Sequence, residues 1–141
     1  MLIMTTRDSN LITLRPNISG AVVCAEMSSD EQFQNSTLRP IIALQNDLLI
    51  EVFKNYIVKR KNVFYELSTE KQIDYIDHAI HKDMKFRNSV KGMIIGQFSI
   101  EEYSKYTKNS SALNKRMMNI VMNRLIDQVQ LLQKQIDLKV S

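Results

Sequence analysis

TLRPIIALQNDLLIEVFKNYI, residues 37–57, is the stretch whose reading decides the fold. Apolar residues fall at Ile41, Leu44, Leu48, Val52 and Tyr56, with a second row at Ile42, Leu49, Phe53 and Ile57. Steps of three and four put each row along one side of an α-helix. Two adjacent rows make a wide apolar stripe, so this helix should be contacted from more than one side. Thr37 is expected to cap it, with Pro40 in the first turn, where a missing N–H costs little. Lys59-Arg60-Lys61 closes it, as the negative end of the helix dipole favours.

The same period continues outward from Ser28. Ser68-Thr69-Glu70 opens a second helix with Ile73, Ile76 and Ile80 on its buried face, and Thr69 with Gln72 fits a capping box. Asp83 can cap a third helix through Phe86, Val90, Met93 and Ile94, ending near Gly96. Ser99 with Glu102 forms another capping box and starts a short fourth helix through Tyr103 and Tyr106. Asn109-Ser110-Ser111 breaks that helix. A long last helix should run from about Ala112 to about Leu138, with a seam at Met118, Val121, Leu125, Val129, Leu132 and Ile136. Strand alternation is nowhere convincing; Asn62–Leu67 is the one candidate, too short to build a sheet. The expectation is an all-α fold, about five helices in a bundle, with the first and last as antiparallel struts.

Composition agrees with this reading. The chain has 141 residues, 44% hydrophobic and 24% charged, and only 3 Gly and 2 Pro. That is globular composition, and so few chain breakers argue against an all-β sandwich or barrel. A chain of this length should bury roughly 70% of its unfolded surface, enough for a core without disulfides. Residues 1–27 hold Pro16, Gly20 and a Ser/Thr/Asn-rich pattern. They are expected to form an irregular arm, dispensable for folding, beside a single helical domain at 28–141. Thr13-Leu-Arg-Pro echoes Thr37-Leu-Arg-Pro, but nothing around either tetrad repeats.

The expected last helix outruns the first, at roughly 40 Å against roughly 30 Å. Leu132 and Ile136, with Leu131 and Leu138 near them, would then be exposed in a monomer, which points to a homodimer through the C-terminal helix. The competing arrangement folds the arm back, with Ile12, Leu14 and Ile18 covering that end.

Cys24 is the only cysteine, so an intramolecular disulfide and a cysteine zinc cage are both excluded. Disulfide-free composition fits a reducing cytoplasm. Residues 18–25 come nearest to a signal-type apolar run and are too short. No run approaches the ~18 apolar residues of a membrane span.

Few residues carry chemistry. His78 and His81 lie three apart on one helix, spaced to chelate a metal with help from Asp74, Asp77 or Asp83; the plainer reading is a solvated flank. Cys24 lacks a neighbouring base and reads as a small packing residue. Ser110 and Ser111 read as a helix cap. Gly92 inside a helix suggests a close helix crossing, and Gly96 a terminator. No cofactor is expected.

Charge says more. The net charge is +4. Residues 40–102 balance nine basic against nine acidic residues, whereas residues 103–141 carry seven basic against Asp127 and Asp137. Asn114-Lys115-Arg116 in the first turns of the last helix is faintly like the reading end of a helix-turn-helix. Arg87, Lys91, Lys115 and Arg116 are therefore the candidate anion or nucleic-acid contacts.

Residues 33–42 (FQNSTLRPII) and 44–49 (LQNDLL), followed by FYELS at 64–68, KGMIIG at 91–96 and SSALNKR at 110–116, resemble a small bacterial family of helical proteins. The likeness covers roughly Ser28 to Leu132. Members of that family often carry an automatic glyoxalase label, so the resemblance implies a helical fold and, by the label, glyoxalase activity. The label meets an obstacle in the residues. Metal glyoxalases of the lactoylglutathione-lyase type take His, Glu or Gln ligands from βαβββ strands, and the metallo-hydrolase type needs a dense His/Asp cluster. This chain has no such strands in prospect and two His. The leading expectation is a non-enzymatic protein-interaction or scaffold role, ahead of anion or nucleic-acid binding and of glyoxalase chemistry.

Overall fold

The computed structural model describes residues 4–18 and 22–133. Helix α1 is Thr6–Leu14 and α2 is Ser29–Phe33. A π-helical turn, Gln34–Leu38, leads into α3, Arg39–Leu44, and then α4, Asn46–Lys59. A 3-10 turn, Val63–Glu66, precedes α5, Thr69–His81. Helices α6, Met84–Ile95, α7, Ile100–Thr107, and α8, Ser110–Asp127, follow, and a 3-10 turn at Val129–Leu132 ends the described chain. The fold is all-α, with no strand among the described residues. There are more helical segments than the five or so expected, because the first helix is subdivided and the arm adds one. No helix among the described residues is long and apolar enough to cross a membrane.

Helix α8 is the centre of the bundle: the π turn, α3, α5, α6 and α7 all pack on it. Its Leu113, Met117, Met118, Val121 and Leu125 are buried with Ile41, Ile42, Phe53, Ile57, Ile76, Ile80 and Ile94 in one core. The second apolar row of residues 37–57 is thus the core row. The first row is only partly covered, and Leu48 remains 51% exposed.

Thr37 does not cap a helix. The chain is already helical from Ser29, capped by Ser28, whose side chain accepts from the Glu31 N–H. Pro40 therefore lies inside a helical path. Its ring has no N–H for the Ser36 carbonyl and would clash with that carbonyl in an α-turn. The wider π turn relieves both problems, with the Arg39 N–H bonding back to the Gln34 carbonyl.

The local signals further along mostly hold. Ser68, Asp83 and Ser99 cap α5, α6 and α7, and the Ser99–Glu102 capping box is complete. Ser68 replaces Thr69 as the α5 cap. Gln72 is instead buried and donates to the Phe64 carbonyl (3.1 Å). Asn62–Leu67 is not a strand; Lys61 and Asn62 adopt positive φ and turn the chain into the 3-10 segment.

The last helix stops at Asp127, well before Leu138. Gln128 and Asn46 exchange two side-chain hydrogen bonds (2.9 and 2.7 Å), pinning the chain where it leaves the helix. The following 3-10 turn packs against α4 and buries Leu132 completely. Leu132 is therefore core of one chain, and the exposure argument for a dimer fails at that residue. Leu131 is exposed. Ile136 and Leu138 lie outside the described residues.

The arm expected to be irregular contains α1, and polar groups dock it. Asp8, the buried residue of this helix, accepts from the Ile100 N–H (3.0 Å) and so adds an anion to the α7 N-terminus. Arg7 donates to the carbonyls of Gly96 (2.8 Å) and Phe98 (2.9 Å). Arg15 donates to Glu102 twice (2.7 and 2.8 Å) and to the Gln97 carbonyl (2.7 Å). Hydrophobic periodicity cannot reveal an element held this way.

Two outcomes follow for stability. The Arg15 and Glu102 side chains are 8% and 14% exposed. Breaking such a pair strands a buried charge and costs about 3 kcal/mol or more. Arg15→Ala should lower the melting temperature by roughly 10 °C, and a chain begun at Met27 should lose at least as much; an unchanged melt would show that the arm is dispensable after all. Gly92, expected at a close crossing, faces open space: a Cβ added there would meet no atom within 4 Å outside its own stretch of helix, among the described residues. Gly92→Ala should therefore stabilise the fold by about 0.5–1 kcal/mol, read as a higher urea midpoint.

Candidate functional site

One face of α8 carries Arg116, Asn119, Ile120, Asn123, Arg124 and Asp127. Their spacings of three and four stack them along a single stripe. The π turn and the start of α3 form the opposite wall with Gln34 and Arg39, and Gln128 closes one end. Between the walls runs an open groove of about 690 Å³. Ile120, 8% exposed, is its apolar floor.

Three guanidinium groups line this groove. Arg116 donates to the Gln34 amide oxygen (3.0 Å), and Arg39 donates to the Asn35 amide oxygen (3.0 Å). These amides orient the two cations without neutralising them. Among the described residues, none of Arg39, Arg116 and Arg124 forms an ion pair. Asp127 is the single carboxylate of the lining among the described residues. The result is a positive concavity in which two of the three guanidinium groups are already oriented, a geometry suited to bidentate capture of carboxylate or phosphate.

A second cluster uses an arginine in the opposite way. Asp83 accepts from the Tyr56 hydroxyl (2.8 Å), from Arg60 (2.9 Å) and, on its other oxygen, from the Phe86 N–H (3.2 Å). The Arg60 guanidinium lies 3.4 Å above the Tyr56 ring. Burial and the hydrogen bond to Asp83 push the Tyr56 hydroxyl well above its ordinary range, so it stays protonated. The Asp83 carboxyl is held below the ordinary carboxylate range by that same hydroxyl, then by the Phe86 N–H and Arg60. Every charge here is paired, and the cluster ties α4 to the α6 cap.

The residues singled out from the sequence are dispersed. Arg116 lines the groove. Lys115, next to it on α8, is exposed and not part of the lining; Arg87 and Lys91, on α6, are not part of it either. His78 and His81 enter different surroundings. His81 uses both ring nitrogens, Nδ1 with Asp77 (2.6 Å) and Nε2 with Asn119 (3.1 Å). His78 instead borders a cavity with Tyr56, Tyr75 and Arg60. The described residues contain no group of three or more His, Cys, Asp or Glu side chains placed for a metal ion. Cys24 is exposed rather than a packing residue. Ser110 opens α8 and Ser111 is exposed.

Arg124, Asn119 and Asn123 were missed in the sequence, although their helical spacing from Arg116 was available as a signal. Arg39 had none, because its place in the groove depends on the π turn. Comparison with protein families, curated proteins and solved structures finds no match.

Proposed function

We propose that this chain is a non-enzymatic interaction protein that captures an anionic partner in the arginine groove. One observation carries the proposal: Arg39, Arg116 and Arg124 line one concave surface, none in an ion pair among the described residues, and Arg39 and Arg116 have amide partners in place of carboxylate ones. Unneutralised guanidinium groups raise the local concentration of anions and speed encounter. The cytoplasm is the proposed compartment, in keeping with a single exposed cysteine. Arg116, singled out from the sequence, lines the proposed groove, as does Arg124 from the same basic C-terminal segment. Arg87, Lys91 and Lys115 do not.

Fluorescence anisotropy with labelled polyglutamate and labelled oligothymidylate at low salt tests the proposal. At least one polyanion should bind, and affinity should fall as salt rises from about 50 to 200 mM. Arg116→Gln combined with Arg124→Gln should weaken binding at least tenfold, whereas Lys115→Gln should change it less than twofold. Binding of neither polyanion, or equal binding by the double variant, would overturn the proposal.

A further inference from the structure

Resting on the anionic reading of this groove, we infer that its occupant is an extended acidic segment of a protein, held by main-chain as well as carboxylate contacts. Gln34 and Gln128 are already spent, on Arg116 and on Asn46. Asn119 has one end of its amide engaged by His81, and Asn123 has no hydrogen-bond partner among the described residues. Both asparagines are exposed.

Their spacing matches a peptide. Four residues of α-helix separate them by about 6 Å, close to the roughly 6.6 Å that two residues of extended chain advance. A carboxamide offers both a donor and an acceptor, as a peptide unit requires. Arg116 and Arg124 bracket the asparagines and stand about 12 Å apart along the helix. Four residues of extended chain cover about 13 Å, and residues four apart point to the same side of a strand. The groove therefore suits carboxylates at positions i and i+4 of an extended ligand, with peptide groups between them over Asn119 and Asn123.

Nucleic acid fits less well. The groove lining has no aromatic side chain on which a base could stack. Asp127, beyond Arg124 on the same stripe, would repel a continuing run of phosphates. A peptide can instead place a neutral or basic residue there.

The test uses the full chain and two probes. One is a capped nine-residue peptide with glutamate at its first, fifth and ninth positions and threonine or valine between them. The other is oligothymidylate. The peptide should bind more tightly than the oligonucleotide. N-methylating its central amides should weaken it at least tenfold. Asn119→Ala with Asn123→Ala should weaken the peptide roughly tenfold, as expected for loss of two hydrogen bonds, and leave oligothymidylate within twofold; a melt on the same variant checks that it is folded. Arginine-dependent binding of oligothymidylate alone would overturn this inference and leave the anionic reading standing. Peptide binding indifferent to N-methylation and to the asparagine variant would reduce the groove to a simple charge trap and overturn it as well. Binding of neither probe would remove both.

Discussion

The Glu102 carboxylate accepts four hydrogen bonds from three separate parts of the fold. The Ser99 N–H closes the capping box of α7 (2.8 Å), the Thr37 hydroxyl anchors the π turn (2.9 Å), and Arg15 delivers two bonds from the arm. Placing a carboxylate in so dry a position is costly unless it is paired and its lone pairs are filled. Here both conditions are met. Burial alone would raise the Glu102 carboxyl, but Arg15, the Ser99 N–H and the Thr37 hydroxyl outweigh it and hold the group below its ordinary range.

That constraint reaches the groove through the π turn. Thr37 fixes one side of the turn on Glu102. Gln34 and Asn35, one helical turn earlier or less, then hold Arg116 and Arg39. A π turn takes more residues than the 3.6 of an α-helical turn, so it sets how α3 is rotated relative to Gln34. The molecule thus uses arginine in two ways. Arg15 and Arg60 are matched with Glu102 and Asp83 and join helices. Arg39 and Arg116 are matched with neutral amides, which leave their charge unneutralised. The proposed binding function follows from that contrast.

Much of the architecture was legible because it is local. The apolar row at Ile42, Leu49, Phe53 and Ile57 marks the buried side of α3 and α4, and Ser68, Asp83 and Ser99 act as helix caps through bonds to N–H groups three residues on. What escaped is long-range. The capping box showed Glu102 bonding to Ser99, but nothing local brings Arg15 or Thr37 to the same carboxylate. The two Thr-Leu-Arg-Pro tetrads illustrate the limit. In the first, α1 ends at Leu14 before Pro16; in the second the helical path continues past Pro40 by widening. One tetrapeptide serves two conformations because tertiary contacts decide between stopping and widening. The C-terminal helix ends sooner than its apolar spacing suggests for a similar reason: the periodicity continues past Asp127, but the Gln128–Asn46 exchange turns the chain.

The central claim is that Glu102 is an ionised hub whose bonds hold the π turn in register. It predicts a sign for pH. A carboxyl depressed in the folded state contributes stability that is full above its unfolded value and lost as pH falls through the folded one. The most direct measurement is an NMR titration of the Glu102 side-chain carboxyl carbon, with the Thr37 and Gln34 backbone amides followed in the same samples. The account predicts a midpoint below the ordinary 4.5, with both amides shifting at that same midpoint. A midpoint at or above 4.5, or amides that do not respond as Glu102 protonates, would contradict it.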